Sequence, residues 1–316
     1  MKLTIGTRGS ALALWQARHV ASIIEKSAPS IKVELMTIKT QGDKILDAPL
    51  SKIGGKGLFT KEIEDALLDG RVDLAVHSLK DLPTELPEGL VLAAIMKRED
   101  PRDAFISRDG RQLDDLPAGA RIGTSSLRRK AFLLHRFPAL EVISIRGNVD
   151  TRVRKMETED LAGVMLAAAG IVRMGLADRI TQYMDSDTVI PAIGQGALAI
   201  ETRAEDPAIA KIAAMLDDPV TSRCARVERA FLRRMGGGCQ VPMAAHCVPD
   251  GEGIKVVAAV VHPDGNPMVR DSYTGPSADE TVGERLADGL LSMGASEILR
   301  EVLSDTWEPG PTIDII

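Results

Sequence analysis

LTIGTRGSALALWQARHVASII (residues 3–24) sets an apolar run of strand length, residues 3–6, directly before a pattern in which Ala13, Ala17, Val20 and Ile24 recur at helical spacing. The same alternation continues outward: residues 31–40, 58–68 and 72–76, and then 121–125, 127–137, 140–145, 149–156 and 161–169. A chain that repeats strand and helix in this way predicts mostly parallel sheets covered by helices on both faces. Open sheets of that kind bind ligands beyond the carboxyl ends of their strands, so the residues just after each strand are the ones to inspect.

Two interruptions divide the pattern. KREDPRDAF (97–105) is charged, holds a proline and reads as a crossing between lobes; a second crossing is expected near residues 189–195, where Pro191 and two glycines break the periodicity. After Pro219 a long helix runs to Met235, followed by strand-like runs at 255–261 and 268–273. A final helix has Val282, Leu286, Leu290 and Met293 on one face. The expected organisation is a first lobe of residues 1–97 with 197–216, a second lobe of 98–196, and a smaller α/β domain of 217–316. The longest unpatterned stretch, 41–56, leads into Gly54-Gly-Lys-Gly57 and suits a mobile lid.

Composition narrows the function. With 316 residues and 44% apolar content the chain can bury a sizeable core. No run approaches the roughly 20 apolar residues of a spanning helix, and the opening Lys2-Leu-Thr-Ile-Gly6 is unlike an export leader, which predicts a cytoplasmic protein. Three cysteines without a CxxC pair argue against a disulfide framework and suit a reducing compartment. A net charge of −6 disfavours a nucleic-acid binder. Arginines nevertheless gather at particular junctions while acids spread along helices, so a positive cleft for an anionic small molecule is expected.

Those arginines are Arg8, Arg128, Arg129, Arg146, Arg152 and Arg173, each at or just after a strand-to-helix handover. A single arginine is most often a solvated charge. Six at equivalent junctions point instead to guanidinium forks converging on a ligand with many carboxylates, since a planar fork matches a carboxylate bidentately. Lys80-Asp81 closes an apolar strand on the same presumed edge, where a carboxylate can accept a ligand N–H or stabilise a developing cation. His77 reads as a hydrogen-bonded structural residue, and His19 and His135 as helix-face residues. In Met235-Gly-Gly-Gly-Cys239-Gln-Val-Pro242 the thiol sits on a flexible turn after a helix, which fits a reactive cysteine and, equally, a small buried hydrophobe after a helix cap. Residues 54–60 lack the Gly-Lys-Ser/Thr of a phosphate loop; Cys224, Cys239, His246 and Cys247 lack zinc-knuckle spacing; no GxSxG elbow is present.

Taken together, GTRGSALALWQA (6–17), GGKGLFTKEIE (54–64), DLAVHSLKDLP (73–83), REDPRDAF (98–105), IGTSSLRRKA (122–131), RGNVDTR (146–152), LAAAGIVRMG (166–175), IGQGALAIE (193–201) and ERAFLRRMGGGCQVP (228–242) resemble the porphobilinogen deaminase (hydroxymethylbilane synthase) family nearly end to end. The resemblance thins beyond about Pro249. It implies two doubly wound α/β lobes resembling type II periplasmic binding proteins, plus a smaller C-terminal α/β domain. It also implies a transferase that joins four porphobilinogens head to tail with loss of ammonia, on a dipyrromethane cofactor held by a thioether to Cys239. The catalytic residues it implies are Asp81, Lys80 and Arg8. Lys80, Asp81, Ser126, Arg128, Arg129 and Arg146 would hold the cofactor, and Arg8, Ser10, Arg146, Arg152, Arg173, Lys56 and Phe59 the substrate. A monomer with no nucleic-acid or membrane partner is expected, with hand-off of product to the next enzyme. A non-catalytic two-lobed receptor for a polycarboxylate, and a transferase that turns over Cys239 as a nucleophile, are the rival readings; no Cys-His pair supports the latter.

Overall fold

A computed structural model describes residues 1–44, 57–236, 241–303 and 309–311. The chain gathers into two compact units, Met1–Glu99 with Gly196–Ser222, and Asp100–Gln195 with Arg223–Ile316.

The first unit opens with β1 (Lys2–Thr7), α1 (Ala11–Ser27), β2 (Lys32–Thr37), α2 (Gln41–Lys44), α3 (Lys61–Leu68), β3 (Leu74–Ser78) and β4 (Leu90–Ile95). Helix α1 starts where it does because Ser10 Oγ accepts the Ala13 N–H at 3.2 Å, satisfying one of the donors a helix start leaves over. It buries Gln16, Ala17, Val20 and Ile24, a stripe of helical period, against a core that includes Leu3, Ile5, Leu74 and Val76. β1 pairs in parallel with both β2 and β3, Lys2 lying opposite Lys32 and Ile5 opposite Leu74.

The second unit begins with β5 (Asp103–Ser107), β6 (Arg121–Gly123), α4 (Leu127–Arg136), β7 (Glu141–Ile143), α5 (Val149–Thr158), β8 (Gly163–Ala167), α6 (Ala168–Arg173) and β9 (Gln182–Tyr183), in the sheet order β7-β6-β8-β5-β9. The chain then returns to the first unit as β10 (Leu198–Arg203) and α7 (Pro207–Ala214), completing the order β2-β1-β3-β10-β4. Each sheet thus holds one reversed strand, β10 between β3 and β4 and β5 between β8 and β9. Hydrophobic periodicity carries no strand direction, so this reversal is a property of the fold that the alternation alone did not reveal.

Helix α8 (Pro219–Arg234) leads to a smaller antiparallel sheet, β11 (Met243–Asp250), β12 (Gly253–Val261) and β13 (Met268–Gly275), then α9 (Glu280–Leu290) and α10 (Ser296–Leu303). β12 is central and buried on both faces: Val256, Ala258 and Val260 pack with Val227 and Phe231 of α8, while Val257, Ala259 and Val261 join Phe105, Ile122 and Met165. Burial on both sides is why residues 256–261 read as one continuous apolar run. β11 is the strand expected after the Gly-rich turn; its MAAHCVPD is poor in β-branched residues and so gives only a weak strand signal. One expectation is corrected here. Met293 does not continue the buried face of the last helix but is exposed, because Gly294 at φ +106° breaks that helix in two.

Candidate active site

In the first unit, β1 and β3 are parallel neighbours, so both carboxyl ends emerge on one sheet edge. Arg8 follows β1, and Lys80 and Asp81 lie in a 3₁₀ turn (Leu79–Asp81) that follows β3. Gln16, buried on α1, donates to Ser78 Oγ at 2.9 Å and ties the helix to the strand end from which that turn springs. The Asp81 carboxylate is exposed and, among the described residues, makes no ion pair; Lys80 is half-buried.

Arg8 is half-buried and held from two directions. Its Nε and Nη2 donate to Asp43 Oδ1 at 3.2 and 2.5 Å, and its guanidinium carbon lies 4.3 Å from the centre of the Phe59 ring. Asp43 in turn accepts from Thr40 Oγ1 at 2.8 Å and from the Thr40 N–H at 3.3 Å. Burial alone would raise the Asp43 carboxyl, but the Arg8 and Thr40 hydrogen bonds and the Arg8 charge outweigh it and hold the group below the ordinary carboxylate range. Gly42 permits this packing: a Cβ there would lie 2.1 Å from Phe59 Cε1. Deeper in the same unit His77 Nε2 meets Glu201 Oε2 at 2.9 Å, both residues buried, which makes His77 a structural residue.

In the second unit the carboxyl ends of β6, β7 and β8, three parallel strands, again share an edge. Ser126, after β6, caps α4 by accepting from the Arg129 N–H at 3.4 Å. Arg146 follows β7 and is half-buried, with no carboxylate partner among the described residues. Arg152, in the first turns of α5, donates Nε to Gly147 O at 2.7 Å. Arg173 lies in the last turn of α6, which follows β8, and is buried.

Arg128 and Arg129 are buried against an acid that the sequence reading took for part of a crossing. Asp103 is fully buried at the start of β5 and pairs in register with Ala167 at the carboxyl end of β8. Its Oδ2 accepts from Arg128 Nη1 at 2.7 Å, and its Oδ1 accepts from Arg129 Nε at 2.8 Å and Gln195 Nε2 at 2.9 Å. Arg128 Nη1 also reaches Ile190 O at 2.7 Å. Burial pushes the Asp103 carboxyl up, yet the two guanidiniums and these hydrogen bonds prevail and leave it far below the usual range. Asp43, Asp103 and Gln195 are the residues that sequence reasoning missed. Each is a polar residue inside a charged or irregular segment, where no periodicity marks a buried partner.

Cys239 and Lys56 lie outside the described residues. The element before the cysteine is anchored by Glu228 of α8, buried, which accepts from Gly194 N–H and Cys247 N–H, each at 2.8 Å. Cys224 and Cys247 are both buried in the core of the C-terminal sheet. Among the described residues no cluster of His, Cys, Asp or Glu could hold a metal ion, and no helix is long and apolar enough to cross a membrane. Among the described residues, the strand-end edge of the first unit offers a guanidinium, Arg8, and an exposed carboxylate, Asp81, and that of the second unit offers guanidiniums and the Ser126 hydroxyl.

Comparison with known proteins follows the same line. Residues 3–211 match the family model described as porphobilinogen deaminase, dipyromethane cofactor binding domain, and residues 222–292 the model of the porphobilinogen deaminase C-terminal domain. The porphobilinogen deaminase of Pelobacter propionicus is 55% identical over 95% of this chain and 97% of that protein. That of Geobacter metallireducens is 53% identical over 95% of each. Among solved structures, a YaeC-family lipoprotein from Enterococcus faecalis aligns over 68% of this chain and 90% of its own, at 16% identity and a TM-score of 0.42. Matched by both domain models and by relatives more than half identical along almost its whole length, the chain belongs to the porphobilinogen deaminase family.

Proposed function

We propose that Asp81 is the reacting centre of a hydroxymethylbilane synthase, flanked by Arg8 on the neighbouring strand end, and that Cys239 carries the dipyrromethane cofactor. The enzyme is a transferase of tetrapyrrole biosynthesis: it deaminates porphobilinogen and joins four units head to tail. The observation that carries the assignment of roles is the pairing, on one sheet edge, of an exposed carboxylate with a guanidinium that still has N–H groups to offer.

The donor set fits the cofactor as well as the substrate. A dipyrrole bearing acetate and propionate groups needs positive forks for its carboxylates and an acceptor for its ring N–H groups, and Arg146, Arg152, Arg173, Ser126 and Asp81 are of those types. When bound, the cofactor supplies the electron-rich pyrrole carbon on which the chain grows. The protein's own residues do the rest. Asp81 accepts the pyrrole N–H of the incoming porphobilinogen and offsets the positive charge that develops as ammonia leaves, which an aqueous carboxylate would do far less well. Lys80 and Arg8 hold carboxylates of the ring so that its methylene faces the attacking carbon, and Ser10 orients the Arg8 turn by capping α1. Phe59, which lies against Arg8, shields the reacting ring and limits its quenching by water. Arg128 and Arg129 act on ligand carboxylates with Asp103 already attached, so they contribute less net charge than their number suggests. We place the enzyme in the cytoplasm as a monomer that passes its product to the next enzyme of the route.

The test is the intact mass of the purified protein. Wild type should carry the mass of two linked pyrrole units that Cys239→Ser lacks, and Asp81→Ala should fold normally while turnover falls by on the order of 10²–10³ or more. A wild type that is unmodified yet fully active removes the covalent primer, and normal turnover in Asp81→Ala removes Asp81 from the chemistry.

A further inference from the structure

Arg8 has two bidentate edges, and the structure shows which one is taken. Asp43 occupies the inner edge, Nε and Nη2, with a third contact of 3.4 Å from Nε to Oδ2. Asp43 cannot swing away freely, because Thr40, fully buried, grips Oδ2 through both its hydroxyl and its N–H. Phe59 covers one face of the guanidinium, and the Phe59 ring is itself fixed by contact with Gly42, whose N–H donates to Leu58 O at 2.9 Å. What is left is the outer edge, Nη1 and the second N–H of Nη2, for which the described residues provide no acceptor.

We infer that Asp43 is a positioning residue that turns Arg8 into a seat for one substrate carboxylate: it locks the inner edge so that the outer edge alone meets the ligand, in the plane that Phe59 defines. This rests on the reading of Arg8 as a substrate-binding residue. An arginine without such a lock samples many rotamers, and freezing it on binding costs the ligand affinity. Arg8 held by Asp43 has met that cost on folding. Asp43 therefore strengthens binding even though its negative charge, taken alone, would weaken it. At these two side chains, 24% and 27% exposed, solvent screens that charge, and orientation decides the sign.

The experiment measures equilibrium binding by calorimetry of a porphobilinogen analogue with a methyl group in place of the aminomethyl, which cannot lose ammonia, together with kcat and KM for porphobilinogen itself. Asp43→Ala should weaken analogue binding and raise KM about tenfold, the worth of one lost charge-assisted contact, with kcat changed much less. Asp43→Asn, which keeps the Oδ1 acceptor for Arg8 but sets an amide NH2 against the Thr40 N–H, should weaken binding by clearly less than Asp43→Ala. Thr40→Val, a variant of nearly the same shape that removes one grip on Asp43, should shift binding in the same direction by a smaller factor. The melting temperatures of these variants report folding separately. The double variant Arg8→Ala/Asp43→Ala should bind no more weakly than Arg8→Ala, because a positioning residue has nothing to position once Arg8 is gone. Tighter or unchanged binding in Asp43→Ala, or additive losses in the double variant, overturns the inference. Arg8→Lys separates the two readings: wild-type binding there sinks the substrate role of Arg8 and the inference with it, whereas weakened binding in Arg8→Lys with normal binding in Asp43→Ala sinks the inference alone.

Discussion

Replacing Asp103 by Ala leaves two buried guanidiniums without their acid. Arg128 and Arg129 are 4% and 5% exposed and Asp103 0%, so water cannot take over the lost contacts without opening the edge of the sheet. Removing one partner of a buried, hydrogen-bonded ion pair costs about 3–5 kcal/mol, because the remaining charge stays desolvated. Here Gln195, which donates to both Asp103 Oδ1 and Pro101 O, loses one of its two acceptors as well, so the upper part of that range is expected. For a unit of this size each kcal/mol moves the melting temperature by roughly 2–4 °C, which for about 4–5 kcal/mol gives a drop of about 8–20 °C, read by calorimetry on the unliganded protein.

The pH dependence sharpens the test. Asp103 has its carboxyl depressed in the folded state by Arg128 and Arg129 against the opposing effect of burial. A depressed carboxyl adds stability above its unfolded value, near 3.9, and that stability is lost as pH falls through the folded value. The gap between wild type and Asp103→Ala should therefore be widest near neutrality and narrow below about pH 4. A loss under about 1 kcal/mol, or a gap that does not narrow in acid, would mean that the two arginines are not held by Asp103 in solution. They would then stand as open ligand seats.

Glu64 shows the opposite sign. It is buried, burial raises its carboxyl, and Glu201 raises it further while Thr60 and His77 pull it down. A raised acid binds its proton more tightly folded than unfolded, so stability should fall as pH rises from about 4.3 through the folded value, and Glu64→Gln should flatten that slope in urea midpoints measured from pH 5 to 8. Equal slopes in the two proteins refute the assignment. Gly283 on α9 approaches α8 so closely that an added Cβ would lie 2.1 Å from Val227 O and 2.9 Å from Phe231 N. Gly283→Ala should cost roughly 1–3 kcal/mol by forcing the helices apart, and an unchanged melting curve would show that this contact yields freely.

The order of elements was legible because burial writes itself into spacing. Leu3, Ile5, Leu74 and Val76 are apolar since they line one core while Val72 and Ala75 line another, and Ala17, Val20 and Ile24 recur at helical spacing since one side of α1 faces the first of these. Once the strands were located, the junction residues Arg8, Asp81, Ser126 and Arg146 followed, for a parallel sheet puts every such junction on one edge. The partners of those residues were not legible. Asp43 lies 35 residues from Arg8, and Asp103 lies 25 and 26 residues from Arg128 and Arg129. Ion pairing between segments this far apart in sequence leaves no period for a sequence to show. The role of Cys239 came from the family resemblance, since the glycines around it fit a helix cap as readily as a cofactor loop.

The hidden acids also explain why a chain of net charge −6 can present guanidiniums at a strand-end edge in each unit. A row of guanidiniums with no counter-charge would repel one another and, where buried, pay the full loss of hydration. Asp103 answers two of them inside the sheet, and Asp43 answers one edge of a third. Arg146 in the second unit and the outer edge of Arg8 in the first are then positions for which the described residues supply no internal acid. On the proposed function, a ligand that gains a ring, and with it two more carboxylates, at each step should therefore depend on such open guanidiniums. Charge reversal there, Arg146→Glu, should stall chain growth at an intermediate length that mass spectrometry can count, while Arg128→Glu should unfold the second unit before any intermediate accumulates. Stalled intermediates on a folded Arg128→Glu protein would show that pairing with Asp103 does not set this division.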